Sequence, residues 1–288
     1  MNYTNRILDF ARTQTNRIYH ISVIENGINT SLCITPSNKT SDCYSVSKLF
    51  TVTAIGLLYD EGKLNINEKI VDIIFDALPS TIDPKWNQIT VHDVLLHRWG
   101  IDHGFLDIDC EDINDYPRIY GERNDFLKII FSKHLPLIPG ESECYSDAAY
   151  YLLSRVVSKK AGETLYEYLR KRLFLPLCFE ETAWSTCPMG YTMGATGLFI
   201  RCSDMAKLGS LYLQSGIYEG NRIVSEKWCE TVLQAGYELR KCGDTGYAKG
   251  GMYGQRLYIS PDKNLVVAWL GYDKDGNRQM LEYIQNLP

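Results

Sequence analysis

Ser45-Val46-Ser47-Lys48-Leu49-Phe50-Thr51-Val52-Thr53-Ala54-Ile55-Gly56-Leu57-Leu58-Tyr59 runs into Asp60-Glu61-Gly62, and the rest of the chain is organised around this stretch. Apolar residues fall on nearly every face of the run, the pattern of a helix buried all round. Gly62 suits the left-handed position that ends many helices. Ser45 stands three residues ahead of Lys48, so on a helix the hydroxyl and the amine share a face. A lysine on so buried a helix is costly, and desolvation lowers its pKa. Such an amine can take a proton from serine, which is a weak nucleophile alone. The helix start adds N–H groups and positive dipole where an oxyanion would form. The four-residue pattern by itself fits a serine cap beside an exposed lysine better than a catalytic pair, so the burial of the helix and partners elsewhere decide.

Outward from this helix the chain has strands at both ends and helices between. Residues 3–13 have a helical pattern. Arg17–Ile24 and Ile28–Ile34 read as strands joined at Asn26-Gly27, a strong hairpin signal. Helices are expected near 68–75, from the Thr90 cap through Leu96, and near 122–133, 147–160, 163–173 and 203–214. Three more strands follow around 246–252, 254–260 and 264–272, with a turn at Pro261-Asp262-Lys263-Asn264 and a last helix from Arg278. The expectation is an α+β arrangement in one domain, 1–288. Its α/β part comprises 1–40 and 236–288, a five-stranded antiparallel sheet flanked by the terminal helices. Its mainly helical insertion comprises 41–235. The acidic stretch 102–120 is read as a long loop, either a solvated surface or a lid.

The 288 residues are 45% hydrophobic and 23% charged, an ordinary globular composition. A net charge of -5 gives no bias toward nucleic acid or an anionic membrane, so neither is expected as a partner. Nine cysteines without a C-x-x-C spacing fit neither a disulfide framework nor a zinc site. No signal-peptide pattern opens the chain and no run approaches a membrane span, which makes a reducing cytoplasm the expected compartment. His92, His97 and His103 have no zinc spacing and are read as structural. Cys43 and Cys144 are read as packing residues. With no P-loop and no dinucleotide fingerprint, neither cofactor nor metal is expected. Oligomeric state has no signature in the sequence.

Two further stretches carry chemistry. Pro139-Gly140-Glu141-Ser142-Glu143-Cys144-Tyr145-Ser146-Asp147 leads into a helix. A phenol there beside a lysine can ionise in part and serve as general base, later as the acid for the leaving group. Lys249-Gly250-Gly251-Met252 is read as beginning a strand whose glycines let a substrate approach the backbone closely, the alternative being a Gly-rich turn between strands. A backbone N–H beyond them can donate to an oxyanion.

Together these three elements resemble the serine β-lactamase and penicillin-binding-protein superfamily, in its class C-like branch of esterases, D-peptidases and oligomer hydrolases. Ser45-x-x-Lys48 matches the first motif, and Tyr145-Ser146-Asp147 resembles Tyr-x-Asn with Asp in place of Asn. Lys249-Gly250-Gly251 resembles the Lys/His-Thr/Gly-Gly motif. The resemblance implies Ser45, Lys48 and Tyr145 as catalytic residues. Asp147, Lys249, Gly251 and the Met252 N–H are its candidate substrate contacts. It implies a serine hydrolase acting through a Ser45 acyl-enzyme on a small ester or amide, a class that includes β-lactams and D-amino-acid peptides. The alternative is a catalytically silent relative that binds in the same cleft. Asp147 sets a negative charge where relatives carry an amide. Arg98-Trp99 stands where many relatives have Thr-Ser, a bulk that either reshapes the pocket or packs.

Overall fold

The computed structural model describes residues 2–15, 17–106, 121 and 124–288. In chain order the strands are β1 (Ile18–Glu25), β2 (Ile28–Cys33), β3 (Thr40–Asp42), β4 (Thr182–Trp184), β5 (Leu198–Arg201), β6 (Ile217–Tyr218), β7 (Asn221–Arg222), β8 (Arg240–Cys242), β9 (Gly246–Gly250), β10 (Arg256–Ser260) and β11 (Leu265–Gly271). The chain separates into two compact units. One comprises residues 1–49, 173–183 and 197–288, the other 50–172 and 184–196.

The first unit is built on a six-stranded sheet in the order β2-β1-β11-β10-β9-β8. Its strands pair antiparallel, with Val23 opposite Val267 and Ile259 opposite Val266. The hairpin at Asn26-Gly27 forms because both residues adopt positive φ, 52° and 81°, as a tight turn between right-twisted strands requires. Ile21, Val23, Val267 and Trp269 point toward the terminal helices Tyr3–Arg12 and Arg278–Gln285. Those helices answer with Ile7, Leu8, Ala11, Met280 and Ile284, and Phe10 stacks on Tyr283 at 4.0 Å. The antiparallel sheet with flanking terminal helices follows the sequence pattern. It gains a sixth strand, β8, whose three residues are too few and too polar to show an alternation.

The opposite face of this sheet carries the Cys202–Leu213 helix. A Cβ on Gly209 would meet Val266 at 2.5 Å and Leu257 at 2.8 Å, so the missing side chain is what lets the helix lie so close. For that reason residues 197–235 belong with the sheet, where the sequence pattern assigned everything from 41 to 235 to a helical part.

The second unit is helical around Asp147–Ala161, which is buried from Asp147 through Val157. Ser146 caps its start and Gly162, at φ 76°, ends it in the left-handed conformation. Thr90 and Asp93 form the reciprocal capping box expected of the Val91–Leu95 helix. Trp99 is fully buried against Trp86 and Phe105, at 5.5 and 5.6 Å between ring centroids, so it packs in the core. Of the expected acidic loop, residues 107–120 lie outside the described residues. The helix expected over 122–133 is observed as Phe126–Ser132. Among the described residues no helix is long and apolar enough to cross a membrane.

Candidate active site

Ser45 lies in a short 3-10 turn, Tyr44–Val46, that feeds directly into the Ser47–Asp60 helix. The turn is anchored at its base: the Cys43 N–H donates to the Leu198 carbonyl at 2.9 Å, and the Cys43 carbonyl accepts from Val46 at 3.1 Å. Tyr44 is held at a positive φ of 48°, and its N–H donates to Asp42 Oδ1 at 2.7 Å. Backbone strain of this kind persists only where the surroundings over-determine it. It sits one residue before the nucleophile candidate.

Lys48 is 0% exposed, and its Nζ donates to Ser45 Oγ at 3.1 Å. The pairing read from the i, i+3 spacing is therefore present. Cys43, next to the same turn, is fully buried, and burial pushes its thiol well above the usual range. A thiol kept protonated in this way packs rather than reacts.

Gly251, just past the end of β9, faces the Ser45 turn. A Cβ there would stand 2.5 Å from the Cys43 carbonyl oxygen and 3.2 Å from Tyr44 Cβ, so only glycine permits the contact. Met252 starts the next short turn, Met252–Gly254. Met252 is the first residue of its turn and Ser45 the second of its own, and at both positions the N–H precedes any intrahelical acceptor. Two such donors near one hydroxyl are what an oxyanion hole requires.

Lys249, a candidate substrate contact of the third motif, lies in a buried and charged environment. Its ammonium is paired with the Glu238 carboxylate, and the two residues are only 8% and 3% exposed. Glu238 was absent from the sequence reading. It lies eleven residues upstream of its partner and belongs to no motif, so no spacing points to it. Its φ of 60° marks a strained position, which only coordinates reveal.

In the second unit Tyr145 is exposed and Asp147, the first residue of its helix, is 6% exposed. The segment carrying Tyr145 is held by His97. The His97 carbonyl accepts the Cys144 N–H at 2.8 Å, and its Nδ1 accepts the Ser146 N–H at 3.2 Å. The imidazole also packs on Tyr145 and Tyr150, at 4.5 and 5.1 Å between centroids. An Nδ1 that accepts places the proton of the neutral ring on Nε2. The Ser146 hydroxyl donates to the Phe105 carbonyl at 2.9 Å and accepts from the Phe105 N–H at 3.1 Å and the Ala148 N–H at 3.2 Å. His97 was expected to be structural. Its contacts give that role a location, at the residues on either side of Tyr145.

Among the described residues no group of three or more His, Cys, Asp or Glu side chains is arranged to hold a metal ion. No described cysteine is in a disulfide.

Comparison with known proteins agrees with this architecture. The chain is 24% identical over 256 residues to the 6-aminohexanoate-dimer hydrolase of Paenarthrobacter ureafaciens, covering 78% of this chain and 64% of that protein. It is 28% identical over 153 residues to the N-acetylmuramyl-L-alanine amidase of Bacillus subtilis, over 52% of this chain and 34% of that one. The chain thus spans about a third to two thirds of the length of these relatives. Two solved structures share the fold. EstCE1, a hydrolase with promiscuous acyltransferase activity, matches with a TM-score of 0.74 at 14% identity over 98% of both chains. An octameric penicillin-binding protein homologue from Pyrococcus abyssi matches at 0.69 and 18% identity, covering 99% of this chain and 77% of the other. A family model described as Beta-lactamase matches residues 37–284, from just before the Ser45 turn almost to the C-terminus, and the chain belongs to the Beta-lactamase family.

Proposed function

We propose that the chain is a serine hydrolase that cleaves a small ester or amide through an acyl-enzyme on Ser45. The observation that carries this reading is the hydrogen bond from a fully buried lysine to a serine hydroxyl at a helix start. A buried amine is costly unless it is hydrogen-bonded, and the hydrogen bond Lys48 makes to Ser45 Oγ sets the two within proton-transfer reach. The membership of the Beta-lactamase family and the hydrolase names of the relatives support the same chemistry.

In the proposed reaction Ser45 Oγ attacks the substrate carbonyl while its proton passes toward Lys48. The carbonyl oxygen takes up negative charge opposite the N–H groups of Ser45 and Met252. Collapse breaks the bond to the leaving alkoxide or amine, which receives the proton, and leaves Ser45 acylated. Water then attacks the ester, releases the acid and restores the hydroxyl. Tyr145 is proposed as a second proton carrier, on the strength of its motif. The paired Lys249 and Glu238 together carry no net charge. This favours neutral substrates over carboxylates, because no uncompensated cation of the third motif is on offer.

The test is intact mass after exposure to a fluorophosphonate. One adduct, mapped to Ser45 and absent from Ser45→Ala, is the expected result. Protein that takes no label, or takes it elsewhere, would overturn the assignment.

A further inference from the structure

Three tyrosines form a row on the first unit next to the nucleophile turn. Tyr44 and Tyr253 meet edge to face, 5.5 Å between centroids and 81° between planes. Tyr253 and Tyr272 stack at 4.4 Å and 25°. Two of the three adjoin reacting groups in the chain: Tyr44 precedes Ser45, and Tyr253 follows Met252.

The backbone, rather than burial, sets these rings in place. Tyr44 and Tyr253 both adopt left-handed φ values, 48° and 57°, which non-glycine residues rarely do. The Tyr253 carbonyl accepts the Asp273 N–H at 2.9 Å, which ties the turn after Met252 to the segment carrying Tyr272. The Tyr272 N–H in turn donates to the Arg17 carbonyl at 2.9 Å. Ordinary core tyrosines are stacked by the burial that hides them. Here the outer ring keeps 44% of its surface open, while Tyr44 and Tyr253 are half-buried. Two strained residues and an exposed ring beside a nucleophile are an arrangement that packing does not account for.

We propose that this row is a subsite for a planar aryl group carried by the substrate, a reading that rests on the hydrolase chemistry proposed above. An aryl ring can extend the row by offset or edge-to-face contact at the separations the tyrosines already show. A saturated ring of the same size is at least as hydrophobic but has no π face. A merely greasy surface would take it equally well.

The experiment compares two matched pairs of esters. Methyl phenylacetate and methyl cyclohexylacetate carry the ring on the acyl side. Benzyl acetate and cyclohexylmethyl acetate carry it on the leaving alcohol, and methyl acetate has none. Wild-type protein should favour the aryl member of at least one pair by roughly two- to tenfold in kcat/KM, the size of one aromatic contact. Tyr272→Ala and Tyr272→Leu should abolish that ratio and leave methyl acetate unchanged, with the thermal midpoint recorded to confirm folding. An aryl preference that survives both substitutions overturns the proposal, as does a fall for all esters alike. Equilibrium binding of the two methyl esters and the two acetates to Ser45→Ala, which cannot turn over, gives the readout independent of catalysis. If the wild type hydrolyses no ester and takes no fluorophosphonate, the hydrolase reading fails. An aryl preference in binding, lost with Tyr272, would then still establish the row. Equal binding of aryl and saturated rings would refute it.

Discussion

Glu238 and Lys249 form an ion pair inside the first unit, one residue in a strained turn and the other on β9. Pairs buried to this degree are expensive to break because the survivor keeps its charge in a poorly solvating place. Glu238→Gln should therefore destabilise the protein by about 3–5 kcal/mol, whereas Glu238→Gln combined with Lys249→Met should recover most of the loss. Urea unfolding checks both. A single variant within about 0.5 kcal/mol of wild type, the range of ordinary surface changes, would show that the pair holds nothing.

Gly251→Ala places a methyl group where the Cys43 carbonyl already stands, 2.5 Å away. The strand end must retreat from the nucleophile turn, and the Met252 N–H retreats with it. Loss of one oxyanion donor lowers kcat by about 10²–10³. The expected result is a fall of that order with KM changed far less, measured on a neutral ester. A variant with full kcat would remove Met252 from the oxyanion hole.

Lys48→Ala and Tyr145→Phe should each lower kcat strongly. Groups that act as a unit are non-additive, so the double variant should lose far less than the product of the single losses. Multiplicative losses in steady-state kinetics would put one of the two outside the proton path.

His97→Ala removes the acceptor of the Ser146 N–H and the ring against Tyr145. Misplacement of a catalytic group by about 1 Å can cost about 10²-fold, so kcat should fall toward that size while KM moves little. His97→Gln, whose amide oxygen can accept the same N–H, should restore part of the rate at similar stability. Equal loss in both variants, tracking the melting temperature, would reduce His97 to a packing residue.

Asp147→Asn separates two roles for the carboxylate at the first position of its helix. A carboxylate facing the substrate should repel an anionic acyl group, so the amide should speed acylation by a penicillin and hardly change a neutral aryl ester. Like charges about 4 Å apart at an effective dielectric near 20 cost about 4 kcal/mol, which is ample to see. A matched response of both substrates would assign Asp147 to the helix dipole instead.

The sequence by itself determined the parts of this protein that depend on short-range order. The i, i+3 spacing of Ser45 and Lys48 brought hydroxyl and amine together across the turn that opens the helix, and the unbroken apolar run buried that helix. Asn26-Gly27 and Gly162 joined or ended elements through left-handed conformations that few residues adopt cheaply, and Thr90 started a helix through its side-chain cap. Alternating strands at the two chain ends implied one antiparallel sheet, because neither end could bury its apolar face alone. Tertiary structure decided whatever depends on contacts between distant segments. The three-residue strand β8 exists because an edge of β9 was available to pair, and 197–235 joined the sheet because Gly209 let a helix close on Val266 and Leu257. Glu238 met Lys249, His97 met Ser146, and Tyr272 met Tyr253 across separations that carry no periodicity. Local propensity fixes which elements form. Which charges are neutralised and which rings stand beside Ser45 depend on how those elements pack, which no window of sequence contains.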